Sequence, residues 1–147
     1  MAVKKGKSSD IIYDYFKVDP IVLNGRFARY ADAMWAQGKI EDKSRFWRLV
    51  DLYAAAAIIG FRKGNRLADD KLTSEKRTIQ LDQIASNYPR FYTIMQVILL
   101  LDDSRGLEPA EKAKMAFDTN PKTEKMYMDN MELFHSYARG GLEYLYE

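Results

Sequence analysis

Four consecutive alanines, Ala54 to Ala57, lie inside the stretch Ser44 to Arg62 (SRFWRLVDLYAAAAIIGFR). Alanine has the highest helix propensity of any residue. Phe46, Leu49, Val50, Tyr53, Ala54, Ala57, Ile58 and Phe61 recur at spacings of three and four, the period of one helical face. Because the run is small on every side, other helices can approach it closely. The stretch 44–62 is therefore expected to be the central, most buried helix, with Ser44 as its cap and Lys63-Gly64-Asn65 as its end.

Other segments are arranged around it. Ile21 to Gln37 carries Phe27, Tyr30, Ala31, Met34 and Trp35 at helical spacing. Asp19-Pro20 before it fits a capping residue followed by proline, although Asn24-Gly25 can delay the start by a turn. Leu67 to Arg77 is polar and reads as a connector. Thr78 to Asn87 fits a short strand followed by a helical turn, or one short helix. Tyr88, before Pro89, is biased away from helix. The apolar run Arg90 to Leu101 fits a buried helix or a buried strand, which periodicity does not separate; its length and its Met and Leu content favour helix, and Asp102 to Gly106 is a turn. Glu108 to Asp118 predicts a short amphipathic helix. Asn120-Pro121 then opens a last helix, on which Tyr127, Met131, Phe134, Ala138, Leu142 and Leu145 share one face. That face predicts either packing across the bundle or a homo-oligomer seam, and Gly140-Gly141 can bend or end the helix. The expected fold is all-α: one compact domain of five to seven helices over residues 10–147, with a minor strand pair near Thr78, after a basic tail at 1–9.

The chain of 147 residues has no cysteine and one histidine, His135. A disulfide framework, a zinc knuckle, a thiol nucleophile and a histidine-rich metal site are thereby excluded. No apolar run approaches the length of a membrane span, and a cytoplasmic location is the default. No cofactor motif is present: Gly60 to Gly64 lacks the spacing of a phosphate-binding loop. Lone helical histidines are mostly polar packing residues, and His135 is expected to be one.

Charge divides unevenly. Residues 1–66 hold 13 Lys and Arg against 7 Asp and Glu, and residues 67–147 hold 10 against 14, so +6 and −4 give the net +2. Arg62, Lys63 and Arg66 follow the central helix, with Arg45 and Arg48 at its other end. These five are the candidate contacts to a DNA phosphate backbone. The competing reading is that cations at a helix C-terminus answer the macrodipole. Asp69, Asp70 and Lys71 loosely echo the acidic-acidic-lysine core of some nucleases, which would be metal-dependent.

The stretch Phe46 to Arg66 (FWRLVDLYAAAAIIGFRKGNR) resembles a helix-and-glycine segment of small proteins from bacterial DNA phosphorothioation (Dnd) defence clusters. The shared features are the aromatic start, Asp51, the small-residue run, and Gly60-Phe61 followed by Gly64 and Arg66; they span 21 of the 147 residues. The resemblance implies an accessory role in bacterial anti-phage defence, close to DNA, and assigns no catalytic residue. Three functions follow as expectations. The first is a non-enzymatic helical binding subunit contacting DNA or a DNA-acting protein. The second is a protein-interaction or oligomerisation module without a nucleic-acid role, and the third is the nuclease.

Overall fold

A computed structural model describes residues 14–35, 46, 48–117 and 123–147. Six helices and one two-stranded sheet follow in the order β1 (Ile21–Asn24), α1 (Arg26–Met34), α2 (Leu49–Lys63), β2 (Lys76–Ile79), α3 (Leu81–Ser86), α4 (Tyr88–Leu101), α5 (Pro109–Phe117) and α6 (Glu124–Tyr146). The protein is a mostly helical domain with one small antiparallel sheet. The expected tail at 1–9, the Ser44 cap and the Asn120-Pro121 start lie outside the described residues.

Helix α2 is the centre of the core. Leu52, Tyr53, Ala54, Ala56 and Ala57 are buried on it, and its most extensive contact is with α6. The two backbones nearly touch, because glycine and alanine meet at the crossing. A Cβ added to Gly141 would stand 1.7 Å from the carbonyl oxygen of Ala56, and one added to Gly60 would stand 1.8 Å from that of Tyr137. Neither position has room for any side chain. Gly140-Gly141 does not end α6, which runs for 23 residues from a Thr123 cap. The apolar face of α6 is spent inside this chain: Tyr127, Met131, Phe134, Ala138 and Leu142 are all buried. Of the two expectations for that face, packing across the bundle is the one observed.

Three expected boundaries are corrected. Phe46 is not helical. Its N–H donates to the Met34 carbonyl at 3.1 Å and it bridges Trp35, so the helix expected at 44–62 begins only at Leu49. Ile58 is nearly half exposed at 45% rather than part of the buried face. Helix α4 begins at Tyr88, with Pro89 in its first turn, where a missing N–H costs nothing.

The largest correction is β1, where a helix was expected from Ile21. Ile21 and Leu23 are buried and Val22 is exposed, an alternation that lays apolar side chains on the core only in extended backbone. The strand pairs antiparallel with β2, Ile21 opposite Ile79 and Asn24 opposite Lys76. The strand pair near Thr78 was thus expected, but not that Ile21–Asn24 would be its second strand. The strand stops at Gly25, whose φ of 59° suits glycine, and where a Cβ would lie 2.5 Å from the Asp70 carbonyl oxygen.

Candidate functional site

The four of the five predicted cations that are described do not form one surface. Arg45 lies outside the described residues. Arg48 stands at the start of α2 and Arg62 in its last turn, a rise of about 21 Å along the helix. Arg48 is also committed: its Nε and Nη2 donate to both oxygens of Asp51 at 3.0 and 2.9 Å. Those bonds, with a further one from Arg90, hold the Asp51 carboxyl below its usual range against the opposing effect of burial.

Arg62, Lys63 and Arg66 do cluster, where α2 ends at Gly64 in left-handed conformation. Elsewhere the cations mostly face carboxylates, as Arg26 faces Asp70, Arg29 faces Glu75, Arg77 faces Asp32 and Arg139 faces Glu132. Arg62, Lys63 and Arg66 make no ion pair among the described residues. Arg66 is nevertheless anchored. Its Nε donates to Ser136 Oγ and its Nη1 to Ser104 Oγ, both at 2.8 Å, and its guanidinium lies over the Tyr137 ring. The Tyr137 hydroxyl in turn donates to the buried Asp102. Burial raises the Tyr137 hydroxyl to about 12. Burial works against ionisation of Asp102, but hydrogen bonds from Tyr137 and Ser104 outweigh it and keep that carboxyl low.

Arg62 and Lys63 are exposed. With Ile58, Ile59 and Tyr144 they line a groove of about 380 Å³, and Lys63 Nζ sits 4.9 Å from the centre of the Tyr144 ring. An open groove with two cations, an aromatic face and an apolar floor can take an anion on an unpolar body.

The residues of the nuclease expectation go elsewhere. Asp70 receives the backbone N–H of Arg26 at 3.0 Å and of Leu72 at 3.1 Å. It thereby caps the start of α1, and those bonds hold its carboxyl below the usual range. Asp69 accepts from Asn24 Nδ2 at 3.0 Å, and Lys71 is 78% exposed. Asp69, Asp70 and Lys71 lie in an extended connector, not on a strand, and no three metal-ligating side chains converge among the described residues.

Asp69 and Lys71 instead open onto a second, polar cavity of about 290 Å³, which also meets Asn24, Glu132, His135 and Arg139. Arg139 donates to both Glu132 oxygens, at 2.7 and 2.9 Å, and to the Leu67 carbonyl at 2.9 Å. Burial opposes ionisation of Glu132, but these bonds keep it a carboxylate, below its usual range. His135 Nδ1 lies 2.5 Å from Tyr53 Oη. Burial first, and Arg139 second, depress the imidazole to about 4, so it is neutral at pH 7. Burial also pushes the Tyr53 hydroxyl far up, so the phenol keeps its proton. With Tyr53 as donor, the imidazole proton sits on Nε2.

The sequence reading named His135, Asp69 and Lys71 separately but missed Asn24, Glu132 and Arg139 and the cluster they form together. Its signal is on α6: Glu132, His135 and Arg139 at spacings of three and four form a polar stripe beside the buried apolar one.

Comparison with family models, with curated proteins and with solved structures gives no match. No helix among the described residues is long and apolar enough to cross a membrane.

Proposed function

We propose that this chain is a non-enzymatic helical binding subunit that contacts the phosphate backbone of DNA through Arg62 and Lys63. The bacterial anti-phage setting implied by the resemblance at Phe46 to Arg66 belongs to the same proposal. What carries the reading is the cluster of cations after α2 without an ion pair among the described residues, on a surface where most other cations face carboxylates. Arg66, exposed but held by Ser136 and Ser104, adds its charge to the cluster. Tyr144 offers a ring face beside the cations, on which a sugar or base can rest.

Binding of mixed-sequence duplex fragments at two salt concentrations tests this. The parent protein binds at low salt and loses affinity as salt rises. Each lost phosphate contact reduces the slope of log affinity against log salt by about 0.9, so the double change Arg62→Ala with Lys63→Ala flattens it by about 1.8. Neither side chain holds the fold, so melting is nearly unchanged. A parent that fails to bind at low salt, or a double variant that binds equally well, ends the assignment. The exposed Ile58 and Tyr144, at 45% and 47%, then favour a protein-interaction module at the same groove.

A further inference from the structure

The polar cavity beside His135 is half of a longer cleft. A second cavity, of about 230 Å³, shares Pro20, Glu132 and His135 with it and adds Asp19, Tyr127, Met128 and Met131. One wall is a single face of α6, on which Met128, Glu132, His135 and Arg139 follow one another at four, three and four residues. The other wall is the run Asp19 to Asn24.

The two walls run side by side in the same direction and are tied at both ends. Tyr127 Oη donates to Asp19 at 3.3 Å, and Arg26 pairs with Glu143 at 3.7 Å. The three extended steps of β1, from Ile21 to Asn24, span about 10 Å of one wall, and the sixteen steps of α6 from Tyr127 to Glu143 span about 24 Å of the other. The cleft along α6 therefore has the length of an extended peptide.

Its strand wall has an open backbone edge. The Gly25 N–H donates to the Glu75 carbonyl at 3.0 Å, which fixes the parity of the ladder. Ile21 and Leu23 turn their N–H and C=O groups to β2, and Val22 and Asn24 turn theirs away. The sheet has two strands, so this second edge of β1 is uncovered among the described residues.

The charges of the cleft select the occupant. Asp19, Asp69 and Glu132 bring three carboxylates. Against them stand Arg139, which holds both Glu132 oxygens and reaches Asp69 at 4.0 Å, and Lys71, 4.0 Å from Asp69, so three carboxylates against two cations leave the cleft one net negative charge. His135 adds no charge. At the other end Met128 is 58% exposed beside Met131 and Tyr127. Side chains two apart on a strand are separated by about 6.6 Å. Met128 and Glu132 are separated by about 6 Å of helix rise.

We propose that this cleft binds an extended segment of a partner polypeptide as a third strand on the open edge of β1. An apolar side chain rests on Met128 and Met131, and a lysine or arginine two residues on meets Glu132 and Asp69. Affinity comes from the main chain and selectivity from the alternate side chains, the division found wherever a peptide extends a sheet. The site is on a different face from the Arg62 groove and does not depend on DNA binding.

The test uses the whole protein and a labelled, N-acetylated probe of about eight residues alternating valine and lysine, followed by fluorescence anisotropy. Saturable binding is expected. N-methylation of the probe on the residues that face β1 weakens it by about tenfold, the order of one good hydrogen bond. Glutamate in place of lysine in the probe abolishes it. On the protein, Val22→Pro removes one outward N–H without touching the ladder to β2, and it weakens binding similarly, while Glu132→Gln weakens only lysine-bearing probes. N-methylation needs no change to the protein, so a misfolded Val22→Pro variant leaves the test intact. Three results overturn the proposal: no saturable binding at about millimolar probe, indifference to N-methylation, or equal competition by N-acetyl-lysine amide. The last would make the cleft a pocket for small amines.

Discussion

Replacing Gly141 with alanine adds one methyl group to an α6 position that is helical and buried, and the sign of the result tests the central packing. In an ordinary helix interior the change stabilises by about 0.5–1 kcal/mol, because glycine loses more backbone freedom on folding. Here the new Cβ would stand 1.7 Å from the Ala56 carbonyl oxygen and 2.5 Å from its carbonyl carbon. Unbonded carbons and oxygens settle at about 3.5 Å, so α2 and α6 must part locally by about 1.8 Å. The atom in the way is backbone, which has no rotamer to escape into. The cost is then at the upper end of overpacking, about 3 kcal/mol. Subtracting the propensity gain leaves a loss of about 2 kcal/mol, or about 4–8 °C in melting temperature for a chain of this size. Thermal unfolding followed by circular dichroism reads the shift. Gly60→Ala should give a similar loss, and the pair should lose less than the sum, since both relieve the same crowding. A Gly141→Ala protein that melts at or above the parent would show that helix propensity wins, and that the two backbones do not meet as described.

Two further expectations follow from the same core and from the buried histidine. Ala56→Leu and Ala57→Leu, both at fully buried positions, should each cost about 1–3 kcal/mol in chemical denaturation; unchanged midpoints would mean that α2 is peripheral. His135 binds its proton near pH 4 when folded, against 6.5 in its ordinary state. The unfolded chain therefore holds more protons between those values, and stability falls as pH drops from about 6.5 towards 4. The depressed Asp51, Asp70, Asp102 and Glu132 are fully stabilising above their unfolded range and lose that contribution as pH falls through it. The Tm of His135→Gln against pH should be flatter than the parent between 6.5 and 4, with the carboxylate loss retained. A parent Tm that is level from 6.5 to 5 contradicts a buried neutral imidazole.

Helices α2, α5 and α6 were legible in the sequence because each places its apolar residues at a period no strand shares, and α4 because its apolar run is longer than an ordinary strand and rich in Met and Leu. The close approach at Ala54 to Ala57 was legible too, since side-chain volume alone dictates it. Strand β1 was not. Asp19-Pro20 has the chemistry of a helix start, and a four-residue strand shows only two alternations, Ile21 and Leu23 against Val22. Its partner β2 gave little help: Lys76, Arg77 and Thr78 are all exposed, and only Ile79 is buried. The cation cluster was half legible. Sequence adjacency brought Arg62, Lys63 and Arg66 together, and the Arg48–Asp51 pair is a local one at a spacing of three, but that Ser104 and Ser136 hold Arg66 is a matter of tertiary contact. The cleft draws on residues 19–24, 69–71 and 127–139, so no local motif could have announced it.

The glycine notch between α2 and α6 also works as a key. Sliding α6 by one turn would bring Tyr137 or Leu145 to the place of Gly141, against the backbone of Ala56, where not even a methyl group fits. The helix can therefore tilt with α2 but cannot ratchet past it. Helix α6 supplies Tyr144 to the groove at Arg62 and Lys63, and Met128, Glu132, His135 and Arg139 to the cleft on β1. A force applied at either surface must move the pair of helices as one piece, so the distance between the two surfaces is a constant of the fold.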